Sequence, residues 1–231
     1  RLVTCSTAMM GWVMMMRFLG RRHFIACLAL LAAGGLSAAS ARADAPSRIL
    51  VVGDSMSAEY GLARGSGWVA LLEQRLQRER IAGAVINASI SGDTTAGGRS
   101  RLPALLKQHQ PTHVVIELGG NDALRGLPLE STQRNLSDMV KASQEAGARV
   151  LLVGIQVPPN YGRAYTERFA ATFEAVAAER KVPLVPFLLK GVADIPDAAK
   201  FFQPDRIHPN ESAQPLLLDN VWPALRRLLA P

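Results

Sequence analysis

The chain has 231 residues, 48 % of them hydrophobic and 19 % charged, and its 26 basic and 19 acidic side chains give a formal net charge of +7. Five of the arginines and none of the acids fall in residues 1–43, leaving 21 basic against 19 acidic side chains in residues 44–231, so the basicity does not imply a nucleic-acid partner. Both cysteines, Cys5 and Cys27, lie in the same stretch, which excludes a disulfide framework, a thiol nucleophile and a cysteine-ligated metal from the rest.

Residues 1–43 read as an address rather than a fold. Arg17, Arg21 and Arg22 make a basic start, residues 24–36 an apolar run, and Ala41-Arg42-Ala43 a small-x-small cleavage pattern. A cleavable export signal cut after Ala43 is expected, with no stable membrane anchor afterwards. The alternative, a retained anchor, is disfavoured because the run is shorter than the roughly 20 residues of a span and Gly34-Gly35 interrupts it. Met16 opens a conventional leader, so residues 1–15 are expected to be an upstream extension that is not normally translated. Residues 44–231 should form one domain, long enough for a sizeable core.

From there, apolar runs alternate with stretches of helical periodicity. Strands are expected at residues 49–52, 85–88, 114–118, 150–155 and 184–187, and helices at 67–79, 102–109 (stopped by Pro111), 129–145, 165–180 and 213–229. Five β-runs separated by helices predict an α/β fold with a parallel sheet covered by helices on both faces. Pro223, inside the last helix, should kink or divide it.

In such a sheet the C-terminal strand ends carry ligands. The residues after the first three runs are Gly53-Asp54-Ser55, Ser89-Ile90-Ser91-Gly92-Asp93-Thr94 and Gly119-Gly120-Asn121-Asp122, all short, polar and glycine-bearing. Farther on, Asp205-Arg206-Ile207-His208 places an acid three residues before a histidine. That spacing lets Asp205 hold the His208 imidazole on one turn while its other nitrogen takes the proton of Ser55. An acyl-transfer site also needs donors aimed at an oxyanion, and the Ser55 N–H, the Gly92 N–H and the Asn121 side-chain amide are candidates. Each piece alone also reads as an ordinary turn; together they supply every role at one sheet edge.

These motifs resemble the four blocks of the SGNH (GDSL-type) hydrolase superfamily. Asn87 to Thr94 (NASISGDT), RLPALLKQHQP, ELGGNDALRG, VPPNYGR and IHPN are similar, almost end to end from Arg48 to Leu229, to the periplasmic bacterial thioesterase I / lysophospholipase / arylesterase family. The resemblance implies a flavodoxin-like three-layer α/β/α sandwich with a five-stranded parallel sheet, and a periplasmic enzyme. It implies Ser55 as nucleophile, His208 as general base, Asp205 as its orienter, and Ser55, Gly92 and Asn121 as the oxyanion hole. The implied substrates are small-molecule acyl esters and thioesters, among them aryl esters, acyl-CoA and lysophospholipids. Arg206 departs from the glycine usual between Asp and His in such relatives.

No cofactor or metal is expected, since no His/Asp/Glu cluster has ligand spacing and no nucleotide-binding glycine motif is present. His109 and His113 are expected at the surface. Residues 123–128 and 157–165 are the loops able to reach the site, and Leu124, Leu127 and Leu129 either line an acyl pocket or pin their loop to the core. A carbohydrate or small-ester deacetylase and a periplasmic acyl-group binder without turnover are the rival functions, the intact Ser55, Asp205 and His208 speaking against the binder.

Overall fold

The computed structural model describes residues 46–230; the leader and its cleavage site lie outside them. Five parallel strands form one sheet: β1 (Ser47–Gly53), β2 (Gly83–Asn87), β3 (His113–Glu117), β4 (Arg149–Val153) and β5 (Leu184–Val185), in the spatial order β2-β1-β3-β4-β5. The helices are α1 (Trp68–Arg78), α2 (Thr95–His109), α3 (Gly120–Leu124), α4 (Leu129–Glu145), α5 (Arg163–Arg180) and α6 (Gln214–Leu229). α1 packs on α6, and α4 packs between α2 and α5, which makes the two helical layers around the sheet. Ile49 to Val52 and Val114 to Ile116 are fully buried between those layers, which is why these runs are apolar at every position instead of alternating.

The order reverses between β1 and β3, because the chain steps outward from β1 to β2 and then returns to the far side of β1. The loops after these two strands therefore diverge and leave a crevice at the sheet's C-terminal edge.

Several boundaries differ from the expected ones for local reasons. α2 begins at Thr95 rather than at residue 102. Its Gly97-Gly98 pair reads as a breaker, yet the Thr94 hydroxyl caps the Gly97 N–H, and a Cβ at Gly98 would stand 2.3 Å from Leu118 Cδ1. A larger residue there would have to displace the buried Leu118 side chain. β5 stops after two residues because Pro186 has no N–H for the ladder. α6 runs undivided through Pro223, with Trp222 and Leu225 buried on either side of it. His113 corrects an expectation: it is buried in β3, with Nδ1 2.8 Å from Thr112 Oγ1 and Nε2 3.2 Å from the Leu228 carbonyl at the end of α6. The covered strand takes in even a polar ring once both nitrogens have partners. His109, at the end of α2, is half-buried.

Candidate active site

β1 delivers Ser55 two residues beyond its last ladder position. The Asp54 carbonyl accepts from Ser57 and Ala58 N–H at 3.2 and 2.9 Å, and its Oδ1 accepts from Met56 N–H at 3.0 Å. This single helical turn satisfies its neighbours and leaves the Ser55 N–H without an intramolecular partner among the described residues.

The segment that follows Phe202 returns on itself. Phe202 and Pro209 form an antiparallel bridge, and Gln203 N–H donates to the His208 carbonyl at 2.8 Å. Inside this loop the Asp205 Oδ1 accepts from Ile207 and His208 N–H, and Oδ2 lies 2.7 Å from His208 Nδ1. His208 Nε2 lies 2.8 Å from Ser55 Oγ. Ser55, His208 and Asp205 are thus in the contact expected of them. Partial desolvation pushes the Asp205 carboxyl up, but the hydrogen bonds from His208 and Ile207 outweigh it and hold it at about 2. The Tyr60 ring packs against the imidazole at 4.3 Å between centroids, and Gln203 Nε2 donates to the Tyr60 carbonyl at 2.8 Å, tying the two loops together.

Gly92 and Asn121 stand at the same edge. Gly92 has φ +79°, a conformation open chiefly to glycine. Its carbonyl accepts from the Arg125 guanidinium at 2.7 Å, and its N–H has no partner among the described residues. Asn121 sits in the first turn of α3, and its Nδ2 donates to Asp54 Oδ2 at 3.0 Å. Asp122, the next residue, accepts from the Thr95 N–H at 2.8 Å and from the Thr95 and Thr132 hydroxyls. That bond ties the start of α3 to the start of α2, so the peptide of Gly92 and the amide of Asn121 are held in mutual register.

A buried acid underlies the turn. Glu117, the last residue of β3, is fully enclosed; its Oε2 accepts from Ser57 Oγ at 2.7 Å, and Ser57 Oγ accepts from Trp68 Nε1 at 3.2 Å. Glu117 Oε1 has no partner among the described residues. Burial, reinforced by the nearby Asp54 charge, pushes Glu117 well above the usual carboxylate range. Burial likewise raises Asp54 to about 6, against the lowering pull of the Met56, Asn121 and His208 contacts.

Between these loops lies a cavity of about 350 Å³, lined by Ser55, Gly92, Asn121 and His208 and by apolar atoms of Met56, Leu124 and Ile155. The leucines of the following loop divide their tasks: Leu124 faces the cavity and Leu129 is buried in the core. From the loop after β4 it is Ile155, just ahead of the expected 157–165 stretch, that lines the cavity. Among the described residues no group of three or more His, Cys, Asp or Glu is placed to hold a metal ion.

The profile of the GDSL-like lipase/acylhydrolase family matches residues 51–214. The chain belongs to that family. Esterase TesA of Pseudomonas aeruginosa is 55 % identical over 181 residues, 78 % of this chain and 89 % of that protein. The thioesterase 1/protease 1/lysophospholipase L1 of Escherichia coli strain K12 is 46 % identical over 188 residues, 81 % of this chain and 88 % of that protein. In three dimensions the crystal structure of the psychrotrophic esterase EstA from Pseudoalteromonas sp., inhibited by monoethylphosphonate, superposes with a TM-score of 0.74 at 42 % identity, covering 79 % of this chain and 98 % of that one. Membership makes the protein a hydrolase of the SGNH type, and its five-stranded parallel sheet between helical layers is the fold of that family.

Sequence reasoning assigned no role to Tyr60, Gln203 or Glu117, and named Asp122 only as part of the glycine-bearing loop after the third strand. Only Glu117 carried a local signal: a lone acid within an otherwise apolar strand is costly to bury and marks a special environment.

Proposed function

We propose that the protein hydrolyses small acyl esters and thioesters through a covalent acyl-enzyme formed on Ser55. The observation that carries this reading is the contact of Ser55 Oγ with His208 Nε2 at 2.8 Å, with Nδ1 of the same ring on Asp205 at 2.7 Å. Ser55 Oγ attacks the substrate carbonyl carbon as His208 Nε2 takes its proton. Asp205, ionised well below neutral pH, fixes the tautomer that presents Nε2 as acceptor and stabilises the imidazolium that results. The N–H groups of Ser55 and Gly92 and the second N–H of the Asn121 amide, the first being engaged by Asp54, receive the oxyanion. Collapse of the tetrahedral intermediate expels the alkoxide or thiolate, which His208 protonates. A water deprotonated by His208 then releases the acid and restores Ser55.

The apolar wall of Met56, Leu124 and Ile155 favours fatty or aryl acyl esters, including acyl-CoA and lysophospholipids, over acetylated sugars. Residues 44–231 would be the hydrolase and residues 1–43 an upstream extension plus a cleaved signal that sends it to the periplasm; in keeping with this, no helix among the described residues is long and apolar enough to cross a membrane. Labelling with a fluorophosphonate, combined with p-nitrophenyl esters of increasing chain length, tests the proposal. Wild-type protein should be labelled and Ser55→Ala should not; an equally labelled and equally active Ser55→Ala protein would sink it.

A further inference from the structure

The large hydrophobic side chains left exposed among the described residues are Tyr60, Ile90, Leu124, Tyr161 and Ile207, each 37–53 % accessible. All five stand at the C-terminal edge of the sheet, in the segments after β1, β2, β3 and β4 and in the loop before α6. Single exposed hydrophobics need no explanation, but confinement to one edge makes a patch, and such patches mark interaction surfaces.

Tyr60, Leu124 and Ile207 line the cavity, whereas Ile90 and Tyr161 do not. These two follow β2 and β4, which are separated by β1 and β3, so the patch spans three strand spacings, about 14 Å. That is wider than one acyl chain in the cavity requires. The charges of the rim point the same way. Arg125 follows Leu124 and Arg206 precedes Ile207; both are exposed, and neither forms a salt bridge among the described residues. Of the acids beside the patch, Asp205 is engaged by His208 and Asp93 by Arg101, whereas Asp194 and Asp197, exposed and in no salt bridge among the described residues, follow β5, beyond the β2 to β4 span.

We propose that this edge docks on an anionic phospholipid bilayer, with Tyr60, Ile90, Leu124, Tyr161 and Ile207 inserted at the headgroup boundary and Arg125 and Arg206 paired with lipid phosphates. Apolar side chains alternating with arginines are what an anionic membrane interface accepts. The cavity then opens directly onto the lipid, and an acyl ester enters without its chain crossing water. The inference rests on the acyl-ester reading for its purpose, not for its test.

The test uses Ser55→Ala protein, which leaves the lipids intact, and co-sedimentation with large vesicles of phosphatidylcholine alone or mixed equally with phosphatidylglycerol. Binding should be confined to the mixed vesicles and weaken with salt. Ile90→Ser/Tyr161→Ser should lower the partition coefficient roughly tenfold. The same pair placed in the protein with Ser55 intact should leave turnover of soluble p-nitrophenyl acetate unchanged. Arg206→Asn, which tolerates the left-handed backbone at that position, should cost about fivefold on mixed vesicles and serves if the double variant does not fold. No sedimentation with either vesicle, equal binding to both, or unaltered binding by both variants would overturn the proposal. So would a dimer in sedimentation velocity that the double variant dissociates while vesicle binding persists, since the patch would then be a self-association face. Failure of the acyl-ester reading would show separately, as wild-type protein that turns over no ester.

Discussion

The Asn121 amide donates to the Asp54 carboxylate at 3.0 Å, and this bond joins the loops on either side of the crevice where the strand order reverses. One amide N–H is committed to the protein, so the other has a defined direction before any substrate arrives. Preorganised donors of this kind stabilise a developing oxyanion more than a ground-state carbonyl.

Asn121→Ala should therefore lower kcat by about 100- to 1,000-fold, roughly 3 to 4 kcal/mol of transition-state stabilisation, with little change in KM. Steady-state kinetics on p-nitrophenyl butyrate separate the two constants. A rise in KM at unchanged kcat would mean that the amide binds substrate rather than the transition state.

Asp54 makes stability depend on pH. Its carboxyl is raised from 3.8 to about 6 by burial, so the folded state holds this proton more tightly than the unfolded one. The resulting stabilisation is complete below pH 3.8 and is lost as pH rises through about 6. Asp205 acts in the opposite sense: its carboxyl is lowered to about 2, so its contribution is present above the unfolded value of 3.8 and is lost as pH falls through about 2. Asp205 is partly exposed, which weakens its effect. Urea unfolding at pH 4.5 and 7.5 should show the wild-type midpoint falling more steeply across that interval than the midpoint of Asp54→Asn, which has no proton to lose.

Glu117→Gln should raise stability at pH 8 relative to wild type, because an amide fills the same buried space without the cost of an enclosed charge. Its oxygen can still accept from Ser57. Glu117→Ala, by contrast, leaves Ser57 without its acceptor beneath the Ser55 turn and should lower both the unfolding midpoint and kcat. Equal melting temperatures for the Gln and Ala variants at pH 8 would contradict the role of this contact.

Arg206 has φ +57°. A side chain pays about 1 to 2 kcal/mol for the left-handed region, and a glycine gives part of that back through its freer unfolded chain. Arg206→Gly should therefore stabilise the protein by about 1 kcal/mol or less, with kcat for soluble esters retained because the Asp205–His208 bond does not involve this side chain. Chemical denaturation alongside p-nitrophenyl acetate turnover checks both parts.

The apolar runs, their alternation with helical periodicity, and the placement of Ser55, Gly92 and Asn121 just after strands were all legible along the chain. Each depends on residues close in sequence: a buried parallel strand must be apolar throughout, and a turn at its end needs small polar residues and glycine. The Asp205–His208 pair was legible for the same reason, since three residues fit on one turn. What only the tertiary structure decided was everything that joins segments far apart. Thr94 and the close approach of Gly98 to Leu118 extend α2 through glycines that locally argue for a loop. Asp122 bound to Thr95, Asn121 to Asp54, Glu117 beneath Ser57, and Tyr60 against His208 are partners that no spacing rule connects. Likewise, His113 is buried because α6 closes over β3. Local chemistry chose the reactive groups; the direction in which each one points depended on contacts across the strand-order reversal, which exist only once the sheet has assembled.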